Sequence, residues 1–280
     1  LILKWAYIME MNNDAKINLT ENYCHFLNSE ITEVDTKTNE QEILGMDGVL
    51  VGTNTFGPFE LTLKFHYNGG IDSKDLTLFA ERMKEIIHVR KPRYVVHSDM
   101  PGKKYAYNNA KIEWEVLNAG DLNLSITFSC YKGYSESRLS TDDMKLSNLH
   151  DWQFGNGYLA FDETDDFHHR TKKFRIYNGS SDAIDPTLRH TLNITVHANA
   201  PKGFKIRSLT TGDVFEYTGS LGYTDTFMLK GVYPVKNGSR VGADTNMSWL
   251  TLENGFNYFV VEGEGLSDFD ITFSFNFIYR

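Results

Sequence analysis

The sequence predicts a mainly β protein of two β-sandwich domains, the first carrying one inserted α-helix. Three observations predict it. Apolar and polar residues alternate in long runs, and Gly- and Asn-rich turns separate those runs. The third is length: 280 residues is nearly twice the roughly 150 of a typical domain. Hydrophobic residues at 41% and aromatics at 14% supply enough apolar surface for packed cores and exclude global disorder.

The elements follow in order. Phe59, Leu61, Leu63, Phe65 and Tyr67 alternate with Glu60, Thr62, Lys64 and His66. A period of two places each set on one face of a strand, and the apolar face needs a covering layer. The pattern returns in Leu122–Cys130, in Leu192–Ala198 and in Ile271–Tyr279. Turns at Asn68-Gly69-Gly70, Thr211-Gly212-Asp213, Lys236-Asn237-Gly238 and Glu253-Asn254-Gly255 punctuate these runs. One segment breaks the rule. Leu76, Phe79, Ala80, Met83, Ile86 and Ile87 recur at helical spacing, which predicts a helix over 73–90 with Ser73 capping its start. Pro92 disfavours helical geometry at Lys91 and ends it. After Tyr131 the chain turns polar, and a boundary near 138 divides it into domains 1–138 and 139–280. The second domain includes an arm over 139–171 that leads into it.

Charge and motifs exclude several function classes. Lys plus Arg (28) against Asp plus Glu (37) gives a net charge of −9, which argues against gripping nucleic acid by its phosphates. Cys24 and Cys130 are too few for a disulfide framework or a zinc ribbon and read as buried free thiols. No apolar run spans a bilayer, and Leu1–Ile8 is too short and too soon polar for a secretion signal. His168-His169, downstream of Asp162, Glu163, Asp165 and Asp166, is the one metal-like cluster. Adjacent residues on a strand point to opposite faces, so a solvated turn is the better reading and no metal or cofactor is expected. Glu113 with Glu115, and Glu262 with Glu264, share a strand face and read as polar sheet surface rather than a catalytic pair. A nucleophile elbow and a phosphate-binding loop are both missing, so no enzyme is expected.

The aromatic residues leave two readings open. Trp152, Phe154, Tyr158, Tyr217, Tyr223 and Trp249 either fill the second core or stack against a ligand. Of these, Trp152, Tyr158, Tyr223 and Trp249 are the candidates for a glycan or partner platform. A carbohydrate-binding β-sandwich protein or accessory module contacting host-wall glycans is the alternative function.

The order of features carries a further likeness. The first half runs Gly45-Met46-Asp47-Gly48, Phe56-Gly57-Pro58-Phe59-Glu60-Leu61-Thr62-Leu63, one helix, Pro92-Arg93-Tyr94-Val95-Val96, Pro101-Gly102-Lys103-Lys104-Tyr105 and Ile126–Tyr131. This resembles the ring-forming domain of the distal tail proteins of long-tailed phages that infect Gram-positive hosts. The stretches Phe174–Gly179, Leu209–Gly212, Leu252–Asn257 and Phe273–Tyr279 resemble the galectin-like C-terminal domain of that family.

The resemblance implies a structural protein of the virion tail tip that forms a homo-hexameric ring. Such a hub joins the major tail tube protein to a tail-associated tip protein and to receptor-binding or baseplate proteins, with DNA only in transit and no membrane. Each subunit of a ring presents two different surfaces to its neighbours. Met46, Val49, Phe56 and Phe59 are the self-association candidates. An opening of negative or neutral potential would let DNA pass without holding its phosphates.

Overall fold

The computed structural model describes residues 4–11, 15–143, 151–153, 155 and 167–280. The chain divides into two compact units, Leu1–Glu136 with Arg280, and Ser137–Tyr279.

The first unit contains β1 (Ala6–Glu10), β2 (Lys16–Asn18), β3 (Cys24–Ile31), β4 (Thr36–Lys37), β5 (Glu40–Glu42), β6 (Val49–Val51), β7 (Thr55–Phe56), β8 (Phe59–Tyr67), α1 (Ser73–Ile87), β9 (Arg93–His97), β10 (Lys103–Val116) and β11 (Leu122–Cys130). Its main antiparallel sheet has the order β2-β1-β9-β10-β11-β8-β3. The alternation in β8 and β11 turns Phe59, Leu61, Leu63, Phe65, Leu122, Leu124, Ile126 and Phe128 into the core. Both layers of this sandwich belong to one curled sheet. Phe26 of β3 meets the ring of His97 of β9 at 5.8 Å, although three strands separate β3 from β9 in that order. Ser29 closes the same seam by donating from its backbone N–H and its hydroxyl to Asp99.

Helix α1 covers the open part of this core with Leu76, Ala80, Met83 and Ile87. Its limits differ from the 73–90 expected. Asp72, not Ser73, is the cap: its Oδ1 accepts from the N–H groups of Lys74 and Asp75 at 2.8 and 3.1 Å. The helix ends at Ile87 because His88 turns extended (φ −83°, ψ 102°) and its Nε2 donates to the Ala110 carbonyl at 3.0 Å. That stop falls ahead of Pro92, so the proline only reinforces it. Cys24 and Cys130 pair with Tyr67 and Phe59, the two ends of β8, too far apart for a disulfide. Burial pushes both thiols up to about 12.

The chain passes through β12 (Ser135–Ser137) into the second unit. There follow β13 (His168–His169), β14 (Lys173–Asn178), β15 (Leu192–Asn199), β16 (Phe204–Ser208), β17 (Val214–Tyr217), β18 (Phe227–Lys230), β19 (Tyr233–Lys236), β20 (Ser239–Arg240), β21 (Gly255–Glu262), β22 (Ser267–Phe275) and β23 (Ile278–Tyr279). One sheet runs β13-β22-β15-β18-β19-β20 and the other β14-β21-β16-β17. They face each other through aromatic rings. Phe204 meets Phe227 edge-on at 5.1 Å, and Phe259 meets Phe273 at 5.1 Å. Gly203 has φ 78°, and a Cβ there would lie 2.0 Å from the Tyr217 carbonyl oxygen, so the turn into β16 admits no side chain.

Candidate self-association surface

Between β3 and β8 the chain leaves the first unit's sheet and forms a hairpin arm. Thr36 and Lys37 pair with Phe56 and Thr55, and Glu40, Gln41 and Glu42 pair with Val51, Leu50 and Val49. Gly45 and Gly48, at φ 84° and 82°, turn the chain at the tip. At the base, the Gly57 N–H donates to the Asp35 carbonyl at 2.6 Å, and the Arg280 guanidinium lies 3.7 Å from the Phe56 ring centroid. Every residue from 35 to 56 is exposed.

That exposure conflicts with the arm's composition. Ile43, Leu44, Met46, Val49, Leu50, Val51 and Phe56 all stand open, Leu44 completely and Val51 at 65%. Val49-Leu50-Val51 is an unbroken apolar run, the pattern of a strand covered on both faces. An isolated two-stranded ribbon is marginal in water. Burying one such side chain is worth about 1.5–3 kcal/mol, and the described residues of its own unit do not supply that burial. The arm is also acidic: Lys37 against Asp35, Glu40, Glu42 and Asp47 gives 1 − 4 = −3.

Three of the four self-association candidates, Met46, Val49 and Phe56, lie on this arm. Phe59 does not. It is 5% exposed and packs against Tyr105 at 6.3 Å, because β8 has re-entered the sheet by then and alternation turns Phe59 inward. Ile43, Leu44, Leu50 and Val51, not among those candidates, are exposed on the same arm. Their signal was present as an apolar run without period, which fits neither a surface strand nor a helix.

The platform candidates separate in the same way. Trp152 is 4% exposed, its ring edge-on to Phe277 at 5.5 Å, so it belongs to the second core and not to a platform. Tyr217 is buried as well. Tyr158 and Phe154 lie outside the described residues, as does the acidic turn from Asp162 to Asp166. Tyr223 and Trp249 are 55% and 38% exposed, and no ring contact joins them. His168 Nε2 lies 2.8 Å from Asp270 Oδ1, whereas His169 stacks on Phe174 at 4.7 Å, so the two imidazoles diverge.

A cluster of carboxylates in the second unit is paired with cations. A shallow hollow of about 210 Å³ near Gly203 brings Glu216, Glu262 and Glu264 together. Lys205 meets Glu216 at 3.2 Å, Arg207 meets Glu262 at 3.6 Å and Lys202 pairs with Glu264. This is an ion-pair ladder across the outer face of β21, β16 and β17 and the adjoining turns. Glu113 is likewise exposed and paired with Lys111. No helix among the described residues is long and apolar enough to cross a membrane.

Residues 14–130 match the family model of the phage tail protein RIFT-related domain. Among solved structures, the chain is similar to the Dit protein of phage SPP1, described as a paradigm of the hub adsorption apparatus in phages infecting Gram-positive hosts. The TM-score is 0.64 at 14% identity, covering 97% of this chain and 99% of that one. A chain of the phage p2 baseplate in its activated conformation aligns at TM-score 0.47 and 12% identity, covering 97% of each. No curated protein matches in sequence. The likeness to the SPP1 protein extends over both units and establishes a shared fold.

Proposed function

We propose that this chain, with its phage tail RIFT-related domain over residues 14–130, is a structural hub protein of a long-tailed phage virion. Copies associate head-to-tail into a closed ring, six-fold as in the family it resembles. The ring joins the tail tube to the tip and receptor-binding parts, and no bond is made or broken. The observation that carries this reading is the uncovered arm. Among the described residues of their own unit, Val49-Leu50-Val51 and the apolar tip have no partner surface, and a neighbouring copy supplies one. The shared fold with the SPP1 hub protein supports it.

Mass measurement and negative-stain imaging of the purified full chain test the proposal. Annular oligomers are the expected result. A chain that remains monomeric at the highest soluble concentration overturns self-assembly as its working mode.

A further inference from the structure

The arm has a complement on the same unit. Where α1 ends, Met11, Val89 and Pro92 line a groove of about 530 Å³ whose rim carries Arg90, Lys91 and Arg93. Arg93 is already engaged, donating to the Ile86 carbonyl at 3.1 Å and to Glu10 Oε1 at 3.3 Å. Arg90 and Lys91 are exposed, and neither makes an ion pair among the described residues. Counting Glu10, the groove carries 3 − 1 = +2 against the arm's −3.

Each half lacks what the other offers. Glu40, Glu42 and Asp47 make no ion pair among the described residues, and the apolar tip between them is open. The groove has an apolar floor and unspent cations. Within one copy the arm and the groove stay apart, since all of residues 35–56 are exposed. A strand rises about 3.3 Å per residue, so the tip stands on the order of 30 Å beyond the arm's base, far enough to reach a neighbour.

We infer that the acidic, apolar arm tip of one copy docks in the cationic groove beside Val89–Arg93 of the next copy. Leu44 and Met46 enter over Met11, Val89 and Pro92, while Glu40, Glu42 and Asp47 face Arg90 and Lys91. The contact is heterologous, because donor and acceptor are different surfaces, and repeating it generates a ring or a filament. This rests on the reading of the protein as a self-assembling hub.

Charge swapping on the full chain tests the pairing by sedimentation velocity. Glu40→Lys with Glu42→Lys, and separately Arg90→Glu with Lys91→Glu, each weaken self-association by about tenfold or more. Combining the four substitutions restores it to within about threefold, and added salt weakens the wild-type contact. If reversing the arm breaks assembly while reversing the groove does not, the arm docks elsewhere: the pairing fails and the hub reading stands. If the wild-type chain never associates, both fail. Circular dichroism of each variant separates lost docking from lost folding, and Arg90→Gln with Lys91→Gln provides a milder groove variant should the reversal unfold.

Discussion

The imidazole of His97 lies against the ring of Tyr105, centroids 5.5 Å apart and planes 23° from parallel. Among the described residues, neither buried ring nitrogen has a hydrogen-bond partner, nor has the Tyr105 hydroxyl. Burial lowers the His97 pKa from 6.5 to about 4; Lys103 and Lys4 push the same way and Asp99 opposes them. The neutral ring is therefore part of the fold of the first unit, and this has a consequence for acid stability.

A depressed pKa means that the unfolded chain binds the proton more readily. The stability tied to neutral His97 is complete above pH 6.5 and is lost as pH falls from 6.5 towards 4. The full loss is about 3 kcal/mol, at about 1.4 kcal/mol per pKa unit. Urea denaturation of the wild type and of His97→Phe between pH 7.5 and 4 checks this. The variant should lose less stability than the wild type across that interval, and parallel losses would reject the assignment.

The Asp72 carboxylate holds two otherwise unpaired N–H groups at the start of α1. Asp72→Ala should lower stability by about 1 kcal/mol. Ser73→Ala should change it by less than about 0.5 kcal/mol, since the Ser73 side chain caps nothing. Thermal melts of the pair locate the cap.

Lys132 Nζ donates to both oxygens of the buried Glu136, at 2.9 and 2.8 Å, and to the Tyr94 hydroxyl at 3.2 Å. Lys132→Met strands the carboxylate and should cost about 3–5 kcal/mol. Lys132→Met combined with Glu136→Leu should recover much of that loss. A double-mutant cycle in urea measures the coupling.

The arm and the core separate assembly from stability. Leu44→Ser and Met46→Ser change fully or largely exposed side chains, so unfolding free energy should move by no more than about 0.5 kcal/mol while assembly weakens. Phe59→Ala should cost about 3–5 kcal/mol, because that ring fills the core against Tyr105. Denaturation and sedimentation on the same samples distinguish the two effects.

The amino-acid order alone determined the β class, the faces of β8, β11, β15 and β22, and the single helix. Each depends on periodicity, a local property: Leu122 to Cys130 bury alternate side chains whatever partner covers them. Tertiary structure decided which apolar residues that surface belongs to. Phe56 and Phe59 are three residues apart in similar local sequence, yet one lies on a projecting ribbon and the other in a core. The difference is whether the chain has rejoined the sheet. Trp152 reads as a platform until Phe277, 125 positions along the chain, meets its ring. The groove beside Arg90 exists only where the helix exit passes the end of β1. Long-range contacts leave no local pattern, because burial depends on what the fold brings opposite a side chain.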